Sequence, residues 1–229
     1  LFGFAFTYGE DDISVGDSGS GLDSKNLSLN IYNSNLINKN LPLETQVGYG
    51  KMAISTKRID NSIVHDGDRD AYMIFGSTKI LANSINFNNY QLTPYGKLNL
   101  SHIKFNEFSE SGSSLALTFK DQTINTKIVS LGLNVDRNVN FHNWTIKPFL
   151  GISYDYDFTG DSIIDMNYVN QSQNYRFVLD KLSSDSWNTN IGFEFFRDND
   201  WSGSISYEYE KFGSSSYLNS YKLNISWSF

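Results

Sequence analysis

No cysteine occurs among the 229 residues, which excludes a disulfide framework and any Cys-ligated zinc or iron–sulfur site. Proline is scarce, at three residues. No apolar run approaches the roughly 18 residues that a transmembrane helix needs. Basic clusters are missing too: 18 Lys and Arg stand against 25 Asp and Glu, a net charge of −7. That balance argues against a nucleic-acid-binding surface, and no nucleic acid is expected as a partner. An initiator Met and a signal-peptide pattern are also lacking, so the chain reads as a mature fragment of something longer.

Aromatic residues are abundant. There are 17 Phe and 14 Tyr in a chain whose mean hydropathy is −0.38. They stand singly, separated by Gly, Ser, Asn or a charge. Phe2, Phe4, Phe6 and Tyr8 alternate with Gly3, Ala5, Thr7 and Gly9. Trp144, Ile146, Pro148, Leu150, Ile152, Tyr154 and Tyr156 alternate with Thr145, Lys147, Phe149, Gly151, Ser153 and Asp155. Trp201, Gly203, Ile205, Tyr207 and Tyr209 do the same, as do Tyr221, Leu223, Ile225, Trp227 and Phe229. A period of two puts alternate side chains on opposite faces of a strand, so the chain is all-β with one apolar and one polar face. Ten strands are predicted, at roughly 1–9, 24–33, 42–56, 70–80, 91–105, 124–136, 143–157, 187–197, 200–210 and 217–229. Several exceed the usual length of about 5–6 residues and match the roughly 9–11 that cross a bilayer when tilted.

Long and short connections alternate. Loops are expected at 10–23, 57–69, 106–123 and 158–186, with shorter links between them. Pro42, Pro94 and Pro148 fall near strand starts, where a missing N–H is tolerated. Trp144, Trp201, Trp227 and Phe229 gather at one set of strand ends, and Tyr154, Tyr156, Tyr207, Tyr209 and Trp187 at the other. Two aromatic girdles and alternating loop lengths favour an antiparallel up-and-down transmembrane β-barrel of the outer-membrane type over a soluble sandwich. The short links then face the periplasm, and both chain ends lie on that side.

Little points to chemistry. Gly16-Asp-Ser-Gly19 matches the string around a serine-protease nucleophile, but it sits in a Gly/Ser-rich loop without the His and Asp that such chemistry needs. His65 beside Asp66 and Asp68 is expected in a loop, where it makes at most a weak cation site. Gly48-Tyr-Gly-Lys51 is too short for a phosphate loop. No catalytic, cofactor or metal residue is assigned. The functional surface is expected on the lumen face, lined by Lys97, Asn99, Lys147, Asp155, Asn190, Glu194, Ser206, Glu208 and Lys222. Charge there is tolerable only against water or a polar occupant.

The C-terminal stretch of Tyr221, Lys222, Leu223, Ile225, Trp227 and Phe229 resembles the signal by which outer-membrane barrels are recognised by the barrel assembly machinery, with Asn224 where Gly is usual. Leu92-Thr-Pro-Tyr-Gly-Lys-Leu98, Phe108-Ser-Glu-Ser-Gly112, Asp121-Gln-Thr123 and Ser130-Leu-Gly-Leu133 together resemble autotransporter β-domains. Gly3-Phe-Ala-Phe-Thr-Tyr8 and Ile146-Lys-Pro-Phe-Leu-Gly151 extend the resemblance over nearly the whole chain. It implies a single translocator domain over 1–229 in the bacterial outer membrane, which anchors an N-terminal passenger and helps export it to the cell surface. It also implies outer-membrane lipid and the assembly machinery as partners. Family barrels have twelve strands and this chain supplies ten, so two strands and a linker helix are expected upstream. The alternative is a self-contained ten-stranded adhesin or surface protease acting through its loops.

Overall fold

The computed structural model describes residues 1–37, 41–179, 183–197, 201–214 and 216–227. Ten long strands follow one another: β1 (Phe2–Val15), β2 (Ser20–Leu36), β3 (Pro42–Asp60), β4 (Ile63–Leu81), β6 (Tyr90–Phe105), β9 (Gln122–Asp136), β11 (Trp144–Asp157), β14 (Asp185–Arg197), β15 (Trp201–Phe212) and β16 (Ser216–Trp227). Each pairs antiparallel with the next in sequence order, giving the up-and-down order β1-β2-β3-β4-β6-β9-β11-β14-β15-β16. Short β5 (Ile85–Phe87) and β10 (Val139–Phe141) pair with β6 and β11 at the short-turn end. At the opposite end β7 (Phe108–Ser109), β8 (Leu117–Phe119), β12 (Ser162–Tyr168) and β13 (Tyr175–Leu179) form a separate four-stranded sheet. Among the described residues β1 pairs only with β2 and β16 only with β15, so two edges of the curled sheet stand open.

The expected strands are all present, and most are longer than the alternation suggests. β3 and β4 run 19 residues each, about 60 Å at 3.3 Å per residue, twice a hydrocarbon core of about 30 Å. Two expected loops are therefore corrected. Most of 10–23 belongs to β1 and β2, leaving a turn at 16–19, and 57–69 contracts to Asn61 and Ser62 between β3 and β4. Both of those residues have positive φ, at 48° and 67°, and Asn88 and Asn89 repeat the pair between β5 and β6. Two consecutive left-handed residues make the hairpin turn whose twist matches the flanking strands, and Asn tolerates that region. Gly16-Asp-Ser-Gly19 is likewise a turn, with φ of 63° and 80° at its glycines. The expected loops at 106–123 and 158–186 contain the small sheet.

His65 is the second correction. It stands inside β4, fully buried, and strand alternation sends Asp66 and Asp68 to the opposite face. Asp68 accepts instead from the Ser55 hydroxyl at 2.7 Å.

Pro94 and Pro148 lie five residues into their strands rather than at the starts, for a common reason. β5 pairs with β6 as far as Leu92, and β4 takes over at Tyr95. β10 pairs with β11 as far as Ile146, and β9 takes over at Phe149. Each proline falls in the gap between its two partners, where a ladder donor has no acceptor to meet. Their carbonyls still accept from Ala82 N at 2.8 Å and Arg137 N at 3.2 Å.

On the inward face aromatic rings lie over glycines. Gly3 opposes Tyr32, Gly48 opposes Phe75, Gly132 opposes Tyr95 and Gly192 opposes Phe149, each directly across a strand pair. A Cβ on Gly132 would stand 2.3 Å from Tyr95 Cζ, and one on Gly48 equally close to Phe75 Cζ. Only a hydrogen fits beneath the ring. The Tyr95–Gly132 contact joins two stretches, Leu92–Leu98 and Ser130–Leu133, that carry the family resemblance.

The outward face is apolar. Phe4, Phe6, Leu29, Val47, Ile74, Leu100, Leu131, Ile191, Ile205 and Leu223 are all exposed on it. Trp201 stacks on Trp227 at 5.0 Å at the short-turn end. Nearer the other end Tyr154 meets Trp187 at 5.2 Å and Tyr207 meets Tyr221 at 5.2 Å.

Candidate functional site on the concave face

The inward positions of β6, β9, β11, β14 and β15 surround a polar cavity of about 390 Å³. Lys97, Asn99, Lys147, Asp155, Asn190, Glu194 and Glu208 line it, together with Lys79, Tyr95, Asp136 and Ser130. Seven of the nine residues expected on the lumen face thus meet around one space. Ser206 pairs across the sheet with Lys222 beside them, and the Lys222 ammonium contacts Glu208. Alternation places them together: charged residues fall at every second position of strands that are neighbours in the sheet.

The charges there are partly paired. Lys147 Nζ lies 3.3 Å from Glu194 and 3.9 Å from Asp136. Asn188 donates to Glu208 at 2.5 Å, and Ser186 to Glu210 at 3.0 Å. Lys79 sits 4.5 Å above the Tyr95 ring and 3.9 Å from Glu44. Asp155 Oδ1 and Asn190 Oδ1 are buried and accept no hydrogen bond, Asp136 Oδ2 has only the long ion pair to Lys147, and Asn30 Oδ1 on the neighbouring β2 is likewise without a donor. All four are oxygens. A buried acceptor without a donor is costly, about 1–3 kcal/mol each, so this face suits an occupant that brings donors.

The small sheet covers the long-connection end of the same face. Arg58 holds Glu110 with two bonds of 2.9 and 2.6 Å, and Leu117 N adds a third at 2.9 Å. Burial pushes the Glu110 carboxyl up, but the Arg58 guanidinium and that amide outweigh it and hold the group below the usual carboxylate range. Arg69 donates to the carbonyls of Asn106 and Lys120 at 2.7 and 3.0 Å while lying over the rings of Phe105 and Phe108. Phe108 stacks on Phe119 at 4.9 Å. Gly112, with φ of 123°, passes so close to the Val64 carbonyl that a Cβ would stand 2.1 Å away. His65 and Ala71 are sealed beneath, and neither ring nitrogen of His65 has a partner. Sequence reading missed this cap. Its only signals were the brief alternating runs Ala116–Phe119 and Ser162–Tyr168, too short to stand out.

Of the C-terminal residues, Tyr221, Leu223, Ile225 and Trp227 point outward from β16 and are highly exposed, whereas Lys222 points inward to Glu208. Phe229 lies outside the described residues. Among those residues no group of His, Asp and Glu is arranged to hold a metal ion.

Comparison with known proteins bears on this architecture. No curated protein sequence matches the chain. The solved translocator domain of the autotransporter NalP from Neisseria meningitidis superposes with a TM-score of 0.80 at 17% identity, covering all of this chain and 75% of that one. The transport unit of the autotransporter AIDA-I from Escherichia coli gives a TM-score of 0.46 at 13% identity, over 100% of this chain and 90% of that one. A family model described as autotransporter beta-domain matches residues 1–208. The chain belongs to the autotransporter β-domain family, in the bacterial outer membrane.

Proposed function

We propose that residues 1–229 form the translocator domain of an autotransporter, anchoring an N-terminal passenger and helping to carry it to the cell surface. The observation that carries this reading is the family match over residues 1–208 on a curled up-and-down sheet. The apolar outward face meets outer-membrane lipid, with its aromatic girdles at the two interfaces. The polar inward face is the lumen, lined by Lys97, Asn99, Lys147, Asp155, Asn190, Glu194, Ser206, Glu208 and Lys222. Its unpaired oxygens suit a hydrated polar segment that brings amide or ammonium donors.

Two further strands would pair with the open edges of β1 and β16, because exposed ladder groups have no water to meet within hydrocarbon. Tyr221, Lys222, Leu223, Ile225, Trp227 and Phe229 form the signal read by the barrel assembly machinery. The domain transports and does no covalent chemistry. The test is surface display: a reporter replaces the passenger in the full-length protein, and intact cells are treated with protease. Shaving of the reporter from cells supports the reading, and a reporter retained in the periplasm beside a correctly inserted barrel overturns it.

A further inference from the structure

The outward face has a notch at the short-turn end. Register aligns Ile146, Phe195, Gly203 and Ile225 side by side across four strands. Three of these side chains are large and the fourth is a hydrogen, so a cavity of about 410 Å³ opens over Gly203. Trp144 and Trp201 close it toward the short turns, and Ser202 is the lone polar residue along it. Arg197 then lays its guanidinium 5.6 Å from the centre of the Trp144 ring.

We propose that this notch seats an acyl chain of a phospholipid whose phosphate is held by Arg197. The proposal rests on the outer-membrane reading above, which turns this face toward lipid. An apolar cavity excludes water and accepts hydrocarbon. Trp side chains mark the headgroup level, so the notch opens inward from that level, along the direction an acyl chain takes. A guanidinium is weakly hydrated and binds phosphate oxygens in pairs, and the indole beneath fixes its plane. Chain and phosphate are thus met by two features one row apart. Arg137 repeats half of the arrangement, 5.6 Å over the Tyr90 ring, at a different place from the notch. It serves as an internal control. Asp198 and Asp200, next in sequence, lie outside the described residues, and the proposal commits only to the phosphate and chain that phospholipids share.

The test uses the purified full-length protein in detergent, titrated with phosphatidylglycerol brominated on its acyl chains, with tryptophan fluorescence as the readout. Trp144 and Trp201 at the cavity report on it directly. Quenching is expected to saturate near one lipid per protein and to be reversed by unbrominated phosphatidylglycerol. Arg197→Gln is expected to weaken binding about tenfold, the loss of one paired phosphate contact, and Arg137→Gln less than about twofold. Gly203→Leu fills the notch and is expected to abolish the saturable phase. Because a Cβ at Gly203 would lie 3.1 Å from the Asn224 carbonyl, the wild-type curve decides by itself if that variant fails to fold. Quenching that rises without saturation, or saturation that survives in a folded Gly203→Leu protein, overturns the proposal. Insertion of the wild type into phospholipid vesicles is measured in parallel: failure there defeats the membrane reading, whereas insertion without saturable quenching defeats only the lipid seat.

Discussion

The middle and the outer mouth belong to one concave face and differ in chemistry. In the middle, lysines and carboxylates alternate around a cavity, Lys147 reaches Asp136 only at 3.9 Å, and the buried Asp155 Oδ1 and Asn190 Oδ1 have no donor. At the mouth β3 and β4 carry Ile54, Arg58, Arg69 and Ala71 beneath a four-stranded sheet, and Arg58 and Glu110 are closely paired. A surface whose polar groups are left incomplete is ready for something else to complete it. One whose charges are paired internally, with the His65 ring the exception, is closed upon itself. The closeness of charge pairing, rather than the amount of charge, separates the part that receives from the part that seals.

The largest way to break this contrast is at the mouth. Arg58→Ala leaves Glu110 buried without its cation, which costs about 3 kcal/mol. The small sheet should open, seen as faster hydrogen exchange over residues 108–119 while the long strands stay protected. Gly132→Ala drives a methyl into the Tyr95 ring and is expected to cost about 2 kcal/mol in urea unfolding, by overpacking.

Acid sharpens the contrast at intermediate size. The Glu110 carboxyl is held below its ordinary value in the fold, so its contribution is complete above that ordinary value, about 4.3, and is lost as pH falls through the lowered one. Protection of residues 108–119 should stay flat from neutral pH to about 4.3 and decline only below it. Glu110→Gln should shrink the decline to the share of Asp121 and Asp165, whose carboxyls the Glu107 amide and Arg176 also hold low. The smallest effect is expected in the middle, where Lys147→Met removes a partly exposed pair and costs about 0.5 kcal/mol. If it instead costs as much as Arg58→Ala, the distinction between an open middle and a closed mouth fails.

How much of this the sequence carried depends on the length of each pattern. Long runs such as Trp144–Asp157 declared both their strand and their inward face, because one buried and one solvated side enforce a strict period of two. Seven residues of the cavity lining followed from that period, whereas Lys79, Tyr95, Ser130 and Asp136, on the same inward face, were not expected. The cap did not, since β7 has two residues and β8 three, and nothing local pairs them. His65 was misplaced because the Asp-rich stretch around it reads as loop, whereas those carboxylates merely occupy the solvated side of a strand that outruns the membrane. Hairpin turns built on Asn61-Ser62 and Asn88-Asn89 passed unnoticed for want of a glycine.

The rings laid over glycines carry a further consequence, for alignment during assembly. Alternation of apolar and polar residues penalises a slip of one residue, because every side chain changes face, yet it is blind to a slip of two. A ring that fits only over a hydrogen detects the second kind. Tyr32, Phe75, Tyr95 and Phe149 occur at the pairs β1–β2, β3–β4, β6–β9 and β11–β14, every other seam of the sheet up to β14. The domain therefore has the grain of stacked hairpins, the first four keyed to their own stagger, and a strand added out of step by two would be refused at the key.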